Sequence, residues 1–82
     1  MSRTREVVQV VAKALVDQPD MVEVTENDGQ DGAHVEVRTA QDDLGKMIGR
    51  QGRTATAIRT LATVTAEIEG RRATVDFVDE RR

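Results

Sequence analysis

Gly49 and Gly52 stand three residues apart with Arg50 and Gln51 between them, and Lys46 and Arg53 flank the group. The chemistry such a set offers is recognition of an anion. Glycine lets the chain take positive φ and removes the Cβ that would hold a ligand away from the backbone. The apolar turn Leu44, Met47, Ile48 leads in, and a second apolar-periodic segment starts directly after Gly52. Amides just ahead of a new helix lack intrahelical acceptors and lie at the positive end of its dipole. Arg50 and Arg53 add full charges at the same corner, so the arrangement suits a phosphate.

Catalysis finds no comparable footing. The chain has no cysteine, one serine at its second position and one histidine, His34. That excludes the usual nucleophile and base pairs, and a zinc site would need carboxylates for most of its ligands. Asp42 and Asp43 are neighbours, and adjacent helical positions point in different directions. They read as acids in the first turn of a short helix that begins near Thr39 or Gln41. Gly52-Arg53-Thr54 mimics the end of a nucleotide-binding phosphate loop. Met47, however, stands where that loop needs its first glycine, and Arg53 replaces the lysine. The expectation is a protein that is not an enzyme and needs no metal or cofactor.

The net charge of −3 conceals a patch. Residues 1–43 hold ten acids and four bases, and residues 67–82 hold five acids and four bases. Residues 44–66 hold Lys46, Arg50, Arg53 and Arg59 with no acid at all. A cluster of one sign steers anionic partners whatever the total charge.

Eighty-two residues are expected to form one domain. A chain this short buries only about 60% of its unfolded surface, so the core is small. No apolar run approaches a membrane span, and the first residues carry no signal-type stretch. We read a soluble, cytoplasmic protein without membrane contact.

The elements that must position the loop follow from periodicity. From Thr4 to Asp17, Val7, Val8, Val11, Ala14 and Leu15 fall on one helical face, with Val10 at its margin. Ser2 is the best cap by chemistry, and Pro19 ends the helix by disfavouring helical geometry at Gln18. Residues 21–25 and 33–38 alternate around Asn27-Asp28-Gly29-Gln30-Asp31-Gly32, which predicts a hairpin with a long, mobile loop. His34 faces outward on the second strand, without a partner. Past Gly52, Ala55, Ile58, Leu61, Ala62 and Thr65 mark a buried face, with Ile68 closing the core and Gly70 as a stop. Ala73, Val75 and Phe77 face inward on a last strand, and residues 79–82 are a charged, frayed end. A right-handed crossover makes the last strand parallel to 33–38. The result is a two-layer α+β domain, a three-stranded mixed sheet with its helices on one face.

That order, α-β-β-α-α-β with Gly-x-x-Gly joining the second and third helices, resembles a KH domain of the bacterial, type II arrangement. The run Asp43-Leu44-Gly45-Lys46-Met47-Ile48-Gly49-Arg50-Gln51-Gly52-Arg53-Thr54, with Ala55, Ile58, Arg59 and Leu61 after it, is similar to the KhpA (YlqC) family of small bacterial single-KH-domain proteins. Chain length and the ending Thr74-Val75-Asp76-Phe77-Val78 fit that family as well. Arg50 stands where many KH loops carry lysine, which exchanges a point charge for a forked donor set. The resemblance implies a single-stranded RNA-binding protein, an RNA chaperone acting with a KhpB-type KH/R3H partner. It also implies a role in cell elongation and cell-wall homeostasis.

On this reading the RNA-binding residues are Lys46, Ile48, Gly49, Arg50, Gln51, Gly52, Arg53 and Arg59. The loop amides contact phosphates, Arg50 and Arg53 supply charge, and Lys46 and Arg59 extend the electrostatic track. Ile48, Ala55 and the strand at 33–38 line a shallow groove for bases. The one aromatic residue, Phe77, is assigned to the core, so base recognition rests on something other than aromatic stacking. The alanine-rich face of the third helix is the candidate surface for a homodimer. The alternative is a protein-interaction module that uses the same fold with little intrinsic RNA binding.

Overall fold

Pro19 and six glycines punctuate the chain, and the elements between them follow the predicted order. The computed structural model describes residues 3–79; the Ser2 cap and the charged end beyond 79 lie outside them. Helix α1 spans Arg3–Leu15, strands β1 and β2 span Glu23–Gly29 and Gly32–Thr39, and the short helix α2 spans Leu44–Ile48. Helix α3 covers Arg53–Ile68 and strand β3 covers Ala73–Asp79. Single 3-10 turns at Pro19–Met21, Gln41–Asp43 and Arg50–Gly52 join them.

The sheet order is β1-β2-β3, with β2 antiparallel to β1 and parallel to β3. Strand β2 is therefore central. Its inward side chains Val35 and Val37 join Val24, Val8, Ala12, Met47, Ile58, Ala62 and Val75 in the buried core, and Phe77 packs against its rim. None of the described helices is long and apolar enough to cross a membrane.

Helix α1 buries the line Thr4, Val8, Ala12, and α3 buries Ala55, Ile58, Ala62, Thr65 and Ala66. Two expectations shift here. Ala14 and Leu15 are exposed, because the α1 face is centred on the i, i+4 line through Val8. Ile68 is 78% exposed and Leu61 is 38% exposed. Small residues occupy the inner face of α3, and these larger ones fall outside it. The alanines at 55, 62 and 66 are consumed inside the fold and offer no surface to a second copy.

The hairpin loop is shorter than predicted. Pairing runs to Gly29↔Gly32, leaving Gln30-Asp31 as a two-residue turn. The cause lies some forty residues away in the α3–β3 connection. Arg71 Nη2 donates to Glu26 Oε2 at 3.0 Å and to Asp28 Oδ1. These carboxylates, the Glu26 hydrogen bond first, raise the Arg71 pKa above its ordinary value. Ala33 N–H donates to Arg72 O at 2.8 Å. A Cβ on Gly32, which has φ 119°, would lie 2.9 Å from the Arg72 carbonyl carbon. Nor is His34 without partners. The parallel β2–β3 pairing places its Nδ1 2.9 Å from Thr74 Oγ1 and its Nε2 3.2 Å from Asp76 Oδ2.

Candidate nucleic-acid interface

The corner between α2 and α3 is built on positive φ. Gly49, Gln51 and Gly52 have φ of 76°, 56° and 72°. Gly49 is fixed by sterics as well as by φ: a Cβ there would overlap the Thr54 hydroxyl and lie 2.8 Å from Thr54 Cβ and 2.9 Å from its nitrogen. Gly52 faces open space, so only its conformation requires glycine. Gly49 N–H closes α2 by donating to Gly45 O at 2.8 Å, and Gly52 N–H donates to Gly49 O at 3.1 Å. The Arg50 carbonyl takes the Arg53 amide.

The amides of Arg50 and Gln51 are left without an acceptor among the described residues. Both residues are exposed at the corner, directly ahead of α3. The Gln51 side chain is steadied by Arg53, whose Nη2 donates to Gln51 Oε1 at 3.1 Å. The Arg50 guanidinium has no partner among the described residues and projects into solvent. Two free amides, one free guanidinium and a steadied neighbour gather unpartnered donors at one compact corner.

The predicted site residues divide between two places. Gly49, Arg50, Gln51, Gly52 and Arg53 meet at the corner, with Ile48 beside them and 36% exposed. Lys46 lies one turn earlier and is ion-paired with Asp17 at 3.4 Å. Arg59, further along α3, is committed to β3. Its Nε donates to Val75 O at 3.2 Å, and its Cζ stands 5.2 Å from the centroid of the Phe77 ring. The strand expected to line the groove is also different. Flanked on both sides, β2 turns Val35 and Val37 fully into the core. The strand against which α2 and α3 both pack is β3, one of the two edge strands.

Some residues that shape the site carried no local signal. Asp17 reaches Lys46 from the end of α1, and Thr54 closes the loop against Gly49. Asp43 is 1% exposed, and its carboxylate accepts the backbone amides of Asp17 and Gln18 at 3.2 and 3.0 Å. It holds the start of α2 to the end of α1 and does not cap its own helix.

Comparison with known proteins agrees with this geometry. The profile described as KhpA/KhpB, KH domain, matches residues 5–77. A protein named RNA-binding protein KhpA from Caldanaerobacter subterraneus subsp. tengcongensis is 48% identical over 73 residues, covering 89% of this chain and 97% of that one. One of the same name from Leifsonia xyli subsp. xyli is 51% identical over 70 residues, covering 85% and 90%. Among solved structures, Aquifex aeolicus Era bound to GDP.AlF4- superposes with a TM-score of 0.70 at 21% identity. Era in complex with MgGDPNP and nucleotides 1506–1542 of 16S ribosomal RNA gives 0.65 at 19%. Each superposition covers 93% of this chain but only 30% and 29% of the Era chains, and shows the fold alone. On the profile match and these identities, the chain belongs to the KhpA/KhpB family of KH-domain proteins.

Proposed function

We propose that this chain is a single KH domain that binds single-stranded RNA, with the Gly49–Gly52 corner clamping the phosphate backbone. The observation that carries the reading is the pair of unpartnered amides at Arg50 and Gln51 beside a free guanidinium. A Gly-x-x-Gly loop of this kind clamps about four backbone nucleotides. The relatives' name, RNA-binding protein KhpA, supports it. Lys46 and Arg53 add charge, and Ile48 supplies an apolar contact at the rim. Within the family reading, the chain acts as a cytoplasmic RNA chaperone with a KhpB-type KH/R3H partner, in cell elongation and cell-wall homeostasis.

The test is a fluorescence-anisotropy titration with a short single strand and a blunt duplex of equal length. An extended backbone fits a narrow clamp, so the single strand binds tighter, with micromolar affinity or weaker. Equal or tighter duplex binding sinks the clamp.

One observation favours a second reading, a protein-interaction module. The outer face of α3 exposes Leu61, Val64 and Ile68, and Leu15 of α1 is exposed as well. Apolar residues grouped on a surface mark contact with another protein. A homodimer or a KhpB-type complex uses this face, on the opposite side of α3 from its buried alanines. Light scattering with and without the partner reports on it directly.

A further inference from the structure

Arg59 is the one base of the patch whose guanidinium the fold holds through both a backbone carbonyl and an aromatic ring. Its side chain spans from α3 to β3, an edge strand, where Nε is committed to Val75 O and Phe77 backs the guanidinium. Residue 59 is nonetheless exposed, and its two Nη groups have no acceptor among the described residues. It lies seven residues beyond Gly52, about 10 Å along the helix at about 1.5 Å per residue. That is within the footprint of a strand of about four nucleotides held at the loop.

A cation that only neutralises phosphate gains nothing from being locked in place. A planar fork with a fixed orientation does, because it presents parallel donors to a matching pair of acceptors. Among the bases, guanine offers such a pair in O6 and N7, and adenine offers N7 beside a donor. Guarding the β3 edge is the plainer role for the same contacts. It leaves the outward Nη donors without a use.

We infer that Arg59 reads a base, selecting guanine next to the clamped backbone through its free Nη donors. The inference rests on the RNA-binding reading above and assigns it a specificity.

The experiment titrates the whole chain with labelled eight-nucleotide uridine strands. A central position carries guanosine, adenosine, uridine or 7-deazaguanosine, the last lacking the N7 acceptor. Wild type is compared with Arg59→Lys, which keeps the charge and loses the fork, and with Arg59→Gln. Wild type prefers the guanosine strand over the adenosine strand by about fivefold or more, the lower end for a bidentate pair. The 7-deaza strand and both variants lose that preference. A preference that survives Arg59→Lys or the 7-deaza base, or no preference in a protein that binds all four strands, overturns the assignment. Failure of every strand to bind overturns the RNA-binding reading beneath it. The 7-deaza comparison uses wild type alone, so it stands even if a variant fails to fold.

Discussion

The Gln18 amide donates to Asp43 Oδ2 at 3.0 Å, across 25 positions of sequence. The other carboxylate oxygen takes the Asp17 amide at 3.2 Å. One buried side chain thus satisfies two amides in the segment that follows α1, which ends at Leu15, ahead of the stop expected at Pro19. The same residue immediately precedes α2, so the contact fixes where α2, and hence the glycine corner, sits relative to α1.

Removing that carboxylate strands both donors. Asp43→Ala is expected to cost about 2 kcal/mol, the scale of a buried group left without its hydrogen-bond partner. For a domain of this size, each kcal/mol lowers Tm by about 4–8 °C. Asp43→Asn keeps one acceptor oxygen and falls between the two. Thermal melts followed by circular dichroism decide the point. A Tm for Asp43→Ala within about 2 °C of wild type would show that the two amides do not need it.

The two glycines of the corner are not equivalent. Gly52→Ala meets open space and suffers only the left-handed penalty, about 1–2 kcal/mol. Gly49, at φ 76° and ψ 172°, lies in a region essentially restricted to glycine, and alanine there also drives a methyl into Thr54, whose backbone nitrogen stands 2.9 Å from the new atom. Chemical denaturation is expected to rank Gly49→Ala as clearly the more damaging. The reverse order would mean that the Thr54 contact relaxes freely.

What the sequence made legible was whatever depended on near neighbours. Alternation over 33–38 placed Val35 and Val37 in the core, and glycine and proline marked where elements stop. The loop chemistry was readable for the same reason, since positive φ and a following helix are local properties. The misreadings share a different cause. Asp43 finds its partners in the α1 exit, Lys46 finds Asp17 there, and the hairpin is tightened by Arg71 and Arg72. Arg59 turns to β3 because the crossover brings Val75 and Phe77 beneath it. No window along the chain contains both halves of these contacts. Charge counted by segment therefore overstated the patch: Asp17 lies beside it, and the Nε of Arg59 is already committed to Val75.

That redistribution changes the expected salt dependence. Lys46, Arg50 and Arg53 remain to meet phosphates, and an exposed pair such as Lys46–Asp17 is weak enough to exchange partners. Three contacts at about −0.7 each give a log-log salt slope on single-stranded RNA of about −2. Lys46→Gln is expected to flatten the slope by about 0.7, and Arg59→Gln to leave it unchanged. A slope near zero in wild type would exclude phosphate clamping.

The corner itself is tested by reversing its charge without disturbing its backbone. Arg50→Asp with Gln51→Asp leaves Gly49 and Gly52 in place, and aspartate is among the residues that tolerate the left-handed conformation at 51. Both positions are exposed, and exposed substitutions usually stay within about 0.5 kcal/mol. The double change sets two carboxylates beside the two free amides, in place of one guanidinium and one amide side chain. Like-charge repulsion then opposes a phosphate where the amides would hold it. RNA affinity is expected to fall at least about tenfold, while the circular dichroism spectrum and Tm stay near those of wild type. A variant that melts like its parent and binds RNA as well would reduce the corner to a turn. The exposed apolar residues of α3, Leu61, Val64 and Ile68, would then be the surface to test against a protein partner.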